Sequence, residues 1–207
     1  ALDHLRQAHA LHLGVGDRGS EAETLRCIAA VHRDAGRLDE ALEFGREALS
    51  LAERTGALRH QTGAHNTLGG TYLSLGDCPA AAECHQRALE LARETSDRYA
   101  EAGALLGLAA TQHRLGRLDQ ALAYAAQAHG LAVRCGYRVP EGQALTCLAE
   151  IHLDRRDPCR ALDHARDALT VHAETGYQLD GVRTCAVLTK AHCQRDEPAA
   201  TGAADRH

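Results

Sequence analysis

The sequence contains neither methionine nor tryptophan, and its 207 residues include only one phenylalanine and five tyrosines. Because aromatic residues make up only 3% of the chain, few rings are available on which nucleic-acid bases could stack. The formal net charge is −5 and no block of basic residues is present, so we expect no direct nucleic-acid contact. No apolar run reaches the roughly 18 residues of a membrane span and no secretion signal is visible. We therefore expect a cytoplasmic protein without membrane association.

Cysteine and histidine are frequent, but they lack the spacing that metal binding or catalysis requires. The eight cysteines include no Cys-x-x-Cys pair, and the 14 histidines include no His-Glu-x-x-His motif. Cys84 and His85 are consecutive on a predicted helix, so their side chains point about 100° apart and do not pair for nucleophilic catalysis. We expect reduced cysteines, no metal, no cofactor and no enzymatic activity.

What the chain does contain is a repeat with a period of 40 residues. Segment 36–42, with the letters GRLDEAL, returns two periods later at 116–122 as GRLDQAL. One column of the repeat contains only alanine, namely Ala41, Ala81, Ala121 and Ala161. Another column contains aliphatic residues, namely Leu11, Leu51, Leu91, Leu131 and Val171. A fixed period of this size is typical of stacked structural units, each of which buries its apolar face against its neighbours.

Each unit contains two predicted helices, helix A and then helix B, because its apolar residues follow a 3.6-residue period. Gly76 and Gly116 follow helix A, where the left-handed conformation favours glycine. Asp77 and Asp157 precede helix B, where a carboxylate can accept hydrogen bonds from the amides of the first turn. The sequence therefore predicts antiparallel helix pairs joined by short turns.

The repeat predicts one all-α domain over residues 1–195, an α-solenoid of about ten helices. It consists of a lone helix B at 1–16, four full units at 17–56, 57–96, 97–136 and 137–176, and a lone helix A at 177–195. Residues 196–207 lack periodicity, and we expect them to be disordered. Because the repeat begins and ends within a unit, we interpret the chain as part of a longer protein.

The segment Leu68-Gly69-Gly70-Thr71-Tyr72, followed by Ala81 and Ala88, resembles the tetratricopeptide repeat. Its unit of 40 residues is similar to the long repeats of kinesin light chains, Pins-type adaptors and many bacterial regulators. The other units depart from the pattern at the tyrosine, which is replaced by His32, Gln112, His152 and His192. We expect the three histidines to be buried core residues. The resemblance implies a right-handed superhelix whose concave face is lined by helix A.

A narrower likeness is to the C-terminal sensor regions of actinobacterial transcriptional regulators, which share long repeats and a high-GC composition. Arginine supplies every strongly basic side chain here except Lys190, which agrees with that composition. No Gly-x-x-x-x-Gly-Lys loop is present, so this likeness implies the sensing part of a regulator alone.

The resemblance implies that polar residues of helix A bind the partner. The candidates are Glu23, Arg26, Arg33, Asn66, Ser74, His113, Arg114, Gln143, Glu150, Asp154, Arg183, Lys190 and Gln194. Asn66 is favoured, because its amide can bond to both the donor and the acceptor of a peptide backbone. The alternative is that these residues form only a solvated polar face. We expect a scaffold that binds a protein or peptide segment, as the sensing or interaction domain of a larger bacterial regulator.

Two other functions stay open at the level of sequence. The half units at the ends could mediate a homodimer through Leu2, Leu5, Leu11, Leu13, Val182, Val187 and Leu188. A small ligand could occupy the space left inside the curve by Gly63, Gly69, Gly70, Gly103 and Gly107. The sequence does not identify the partner in any of these cases.

Overall fold

The computed structural model describes residues 2–176 and 178–196, and within these ranges it contains ten α-helices and no strand. The helices are α1 (Leu2–Val15), α2 (Arg18–Asp34), α3 (Leu38–Arg54), α4 (Leu58–Leu75), α5 (Cys78–Glu94), α6 (Arg98–Arg114), α7 (Leu118–Cys135), α8 (Arg138–Asp154), α9 (Pro158–Thr175) and α10 (Gln178–Asp196). The prediction of an all-α fold with ten helices is confirmed. The predicted disordered tail lies outside the described residues, except that α10 continues through Asp196. None of the described helices is long and apolar enough to cross a membrane.

The turns between helices use the residues that the sequence predicts for them. Gly76 ends α4 in the left-handed conformation, with a φ of +84°. The Asp77 carboxylate accepts a hydrogen bond of 3.1 Å from the backbone amide of Ala80 at the start of α5. Asp157 accepts a hydrogen bond of 3.2 Å from the amide of Arg160 in the same way at the start of α9. These short caps reverse the chain, so that each helix runs antiparallel to the next one.

The helices form two layers, and only in one of them do helices of the same layer contact one another. The even-numbered helices contact one another in the order α2, α4, α6, α8 and α10. No odd-numbered helix contacts another odd-numbered helix within the described part of the chain. A stack that is packed more closely on one side curves toward that side. The even-numbered helices, which are the predicted A helices, therefore line the concave face, and the odd-numbered helices cover the convex face.

The alanine column sets the distance between the layers. Ala41, Ala81, Ala121 and Ala161 are all completely buried. A methyl group at this position lets helix B approach its neighbours closely, whereas a larger side chain would hold the helices apart. The invariant column is therefore part of the scaffold and does not carry specificity.

Two residues of α10 that the sequence predicted to mediate self-association pack inside the molecule instead. Val187 is 5% exposed and belongs to a core cluster with residues of α8 and α9, and Leu188 packs against the same cluster. Both side chains point toward the preceding helices, so they are not available to a second molecule. Of the other candidates, Leu2 and Leu5 are half-buried, whereas Leu11, Leu13 and Val182 are exposed.

Candidate functional site

A groove of about 600 Å³ lies on the concave face where α4, α6, α8 and α10 adjoin. Its lining residues are Leu73, Ala110, His113, Arg114, Glu150, Asp154 and Arg183, and we call it the central groove. All of its ionisable side chains are among the residues predicted to bind a partner. Sequence reasoning missed Leu73 and Ala110, although both lie in inner columns of helix A whose residue type changes from unit to unit.

Four of the ionisable side chains are joined in two pairs that cross between helices. His113 Nε2 of α6 lies 2.7 Å from Asp154 Oδ2 of α8. Arg183 of α10 donates two hydrogen bonds to the carboxylate of Glu150 of α8, which raises the pKa of the arginine. Arg114 is exposed and has no hydrogen-bond or ion-pair partner among the described residues. The central groove therefore combines one ion pair, one histidine–carboxylate hydrogen bond and one unpaired cation.

Next to the central groove, glycines of α4 leave space that arginine side chains of α2 occupy. A Cβ atom at Gly63 would lie 2.9 Å from Arg26 Cδ, and one at Gly70 would lie 2.8 Å from Arg33 Nη1. The two arginines of α2 therefore lie across the glycines of α4. Each arginine is also paired with an acidic residue of its own helix, so neither extends freely into the concave space.

Asn66, the favoured peptide-binding residue, makes its hydrogen bonds within the protein. Its Oδ1 lies 3.3 Å from His85 Nδ1, and its Nδ2 donates to the carbonyl oxygen of Ala100 at 3.4 Å. Because an amide oxygen only accepts, the histidine carries its proton on Nδ1. Asn66 is half-buried, does not line the central groove and connects α4 with α5 and α6.

His85 is a buried imidazole whose role was not visible in the sequence motifs. His85 is 3% exposed, and its ring lies between two glycines of neighbouring helices. A Cβ atom would come within 2.7 Å of the ring at Gly69 and within 2.3 Å at Gly107. Burial, with a smaller contribution from the charge of Arg33, lowers the pKa of His85 to about 4. The imidazole is therefore neutral at physiological pH, and its Nε2 has no hydrogen-bond partner in the described structure.

The remaining candidates lie outside the central groove. Gln143 donates a hydrogen bond of 3.0 Å to Asp180, and the Ser74 hydroxyl donates to the carbonyl oxygen of Gly70 at 3.0 Å. Lys190 is exposed and Gln194 is half-buried. The structure thus brings together His113, Arg114, Glu150, Asp154 and Arg183, but it does not bring the other candidates to them.

The cysteines and histidines behave as ordinary core and surface residues. The described cysteines are free, and burial raises the pKa of Cys147 to about 12 and that of Cys84 to about 11, so both remain thiols. No three side chains of the described residues form a potential metal site. His32 and His152 are buried as predicted, whereas His192 is only half-buried.

Two profiles of the tetratricopeptide repeat match the chain, one over residues 60–132 and one over residues 22–55. The structure is similar to that of a Rap protein complexed with Competence and Sporulation Factor, with a TM-score of 0.80, 18% identity and coverage of 94% of this chain and 59% of that chain. It is also similar to BtubC from P. vanneervenii, with a TM-score of 0.69, 20% identity and coverage of 95% and 89% of the two chains.

A third similar structure is a Signal Transduction ATPase with Numerous Domains that has a tetratricopeptide repeat sensor, from Pyrococcus horikoshii. The TM-score is 0.67 at 14% identity, with coverage of 85% of this chain and 28% of that chain. The chain therefore spans about three fifths of the Rap protein and little more than a quarter of the ATPase. A search of curated protein sequences found no match. At these identities the likeness concerns the fold.

Proposed function

The chain belongs to the tetratricopeptide repeat family, and from this premise we propose that its central groove binds an extended peptide or a segment of another protein. The family fold typically serves as a non-catalytic scaffold for interaction or sensing. The observation that carries the proposal is the central groove itself, which is lined by ionisable side chains from three helices and by the apolar residues Leu73 and Ala110. A volume of about 600 Å³ is in the range of known ligand sites.

The paired side chains suit the recognition of a peptide. The imidazole of His113 and the guanidinium of Arg183 offer donors, whereas the carboxylates of Asp154 and Glu150 offer acceptors. Each of them is already held by its partner, so less side-chain freedom is lost when a ligand binds. Arg114 has no such partner and is the side chain available to an acidic group of the ligand.

We further propose that the chain is the sensing or interaction part of a larger bacterial regulator that acts in the cytoplasm. Two observations support this proposal. The fold is similar to the longer Rap protein, which was solved with Competence and Sporulation Factor, and to an ATPase with a tetratricopeptide repeat sensor. The described cysteines are free, which agrees with a reducing compartment.

Replacing Arg114 with glutamate tests the central groove. Linear peptides that bind the unchanged chain are first selected from an array of random sequences, and their dissociation constants are measured by fluorescence anisotropy. For Arg114→Glu we expect these constants to rise at least tenfold, or about 1.4 kcal/mol, because the free cation becomes an anion. Thermal unfolding should change little, because Arg114 is exposed and unpaired.

Arg134→Glu is the matched control, since Arg134 is an exposed arginine of α7 on the convex face. This variant should bind the selected peptides as the unchanged chain does. Equal affinity of all three proteins, or an equal loss in both variants, would exclude the central groove as the binding site.

A further inference from the structure

A second cleft, of about 390 Å³, lies between α6 and α7 inside the third unit, and we call it the interhelix cleft. It is lined by Arg98, Glu101 and Leu105 of α6 and by Gly130, Leu131 and Arg134 of α7, among others. None of its lining residues also lines the central groove. The interhelix cleft is therefore separate from the proposed peptide site.

Two small residues open the interhelix cleft on the side of α7. At the position of Ala126, which lines the cleft, the other full units have long polar side chains, namely Arg46, Gln86 and Arg166. One helical turn later, at the position of Gly130, the other full units also have side chains, namely Ser50, Glu90 and Thr170. Among the four full units, the third is thus the one in which both positions are small.

In the fourth unit, an ion pair connects the two helices at the corresponding place. Arg138, in the first turn of α8, donates a hydrogen bond of 2.8 Å to Glu141 of the same helix. The same guanidinium also donates to Glu174, in the last turn of α9. A carboxylate from helix B thus completes the partners of the arginine on helix A.

The third unit keeps the arginine of helix A, but it has a second arginine in place of that carboxylate. Arg98 donates a hydrogen bond of 2.7 Å to Glu101, in the same way as its equivalent in the fourth unit. The equivalent of Glu174 on α7 is Arg134. Two guanidinium groups therefore line one cleft, and the position that would supply an acceptor from helix B carries a positive charge instead.

Arg134 is turned back over the opening that the small residues leave. A Cβ atom at Gly130 would lie 3.3 Å from Arg134 Nη1. Among the described residues, Arg134 has no hydrogen-bond or ion-pair partner. The carboxylate of Glu101 is already compensated, because it accepts hydrogen bonds from Arg93 at 3.1 Å and from Arg98 at 2.7 Å. Three arginines against one glutamate leave this group with an excess of positive charge.

We propose that the interhelix cleft binds a small organic acid, whose carboxylate lies between Arg98 and Arg134. There the carboxylate takes the part that Glu174 has in the fourth unit, and its planar shape matches the guanidinium groups. The apolar part of the ligand contacts Leu105 and Leu131. The volume of the cleft is at the lower end of known ligand sites, so it holds one small molecule.

Alkylation of Cys135 tests the proposal, because this exposed thiol lines the interhelix cleft. The chain is treated with iodoacetamide, and the rate at each cysteine is measured by mass spectrometry of its peptides. We expect 3-phenylpropionate at about 10 mM to slow the reaction of Cys135 about threefold, since small ligands of open clefts bind in the millimolar range. Cys159, an exposed cysteine of α9, should react equally fast with and without the acid. The neutral amide of the same acid should protect neither cysteine.

Arg134→Gln should abolish the protection of Cys135, because it removes the unpaired cation from the cleft. Arg54→Gln is the matched control, since Arg54 is an exposed arginine at the same position of the first unit. This variant should be protected as the unchanged chain is. Arg114→Glu should also leave the protection unchanged, because Arg114 belongs to the central groove. Circular dichroism should show the same helix content in all variants.

Equal protection of Cys135 by the acid and by its amide would overturn the proposal. So would protection that persists in Arg134→Gln, or protection that is lost in Arg54→Gln or Arg114→Glu. Inorganic phosphate that protects as well as the acid would show an anion site without an apolar contact, which contradicts an organic acid as the ligand. A rate at Cys135 that stays unchanged up to about 50 mM acid would exclude the site as well.

Discussion

Replacing Gly107 with alanine is expected to destabilise the protein by about 3 kcal/mol, although alanine is normally the better helix former. The added Cβ would lie 2.3 Å from the ring of His85. The ring has no free direction in which to move, because it is buried and Gly69 lies on its other side. The free energy of unfolding in urea, followed by circular dichroism, measures the effect.

Gly103→Ala is the control on the same helix. A Cβ at this position would meet only Asn66 Nδ2 at 3.6 Å, which is an ordinary contact. This change should stabilise the protein by up to about 1 kcal/mol, since alanine has the higher helix propensity. Combining Gly107→Ala with His85→Ala should recover most of the lost stability, because the added methyl then has space. Equal effects of the two glycine changes would refute the packing of the imidazole between α4 and α6.

Lowering the pH from 7 to 4 is expected to remove roughly 3 kcal/mol of stability through His85 alone. The pKa of this imidazole falls from its ordinary 6.5 to about 4, chiefly because of burial. Between these two values the unfolded chain binds a proton that the folded chain does not bind. The free energy of unfolding therefore decreases as the pH falls from 6.5 to 4, and the contribution of His85 is complete above pH 6.5. Urea unfolding at several pH values measures this slope.

His85→Leu provides the comparison, because leucine cannot ionise. This variant loses the hydrogen bond to Asn66 at every pH, but it should lose less stability than the unchanged chain between pH 6.5 and 4. The free energy of unfolding of His85→Leu should still decrease somewhat as the pH falls, since burial also lowers the pKa values of His65, His152, His164 and His172. Parallel pH profiles for the two proteins would show that His85 does not titrate as described.

The repeat columns predicted the scaffold well because the relevant signals are local. Helix periodicity, the capping Asp77 and the left-handed Gly76 all act within a few residues of the chain. The resemblance to the tetratricopeptide repeat predicted which helix of each pair faces inward. The columns could not show that Val187 is buried, because that depends on how closely the last helix packs against α8 and α9.

The candidate site was predicted only as a broad set. Every ionisable side chain of the central groove was in that set, because all of them lie on the inner face of helix A. The set also contained Asn66, whose hydrogen bonds serve the scaffold, and it omitted the apolar lining residues Leu73 and Ala110. Periodicity assigns a residue to a face, but it does not assign the residue a partner on the next helix.

The place of His85 could have been found by comparing columns. The other full units carry Gly45, Ala125 and Ala165 at its position, so the histidine is the one large side chain in that column among the four full units. The same unit and the next one carry the glycines at 69 and 107, where other units have larger residues. The large side chain of His85 on α5 is thus accommodated by the missing side chains of Gly69 on α4 and Gly107 on α6.

The sequence by itself determined the ten described helices and the turns between them, because apolar periodicity and turn chemistry are contained within each unit of 40 residues. Its resemblance to the tetratricopeptide repeat indicated the inward-facing helix of each pair. Only the tertiary structure decided which polar residues pair, as His113 does with Asp154 and Glu150 does with Arg183, and that Arg114 has no described partner. These contacts join residues of different units. They depend on the distance and direction between stacked helices, which the pattern of any single unit does not specify.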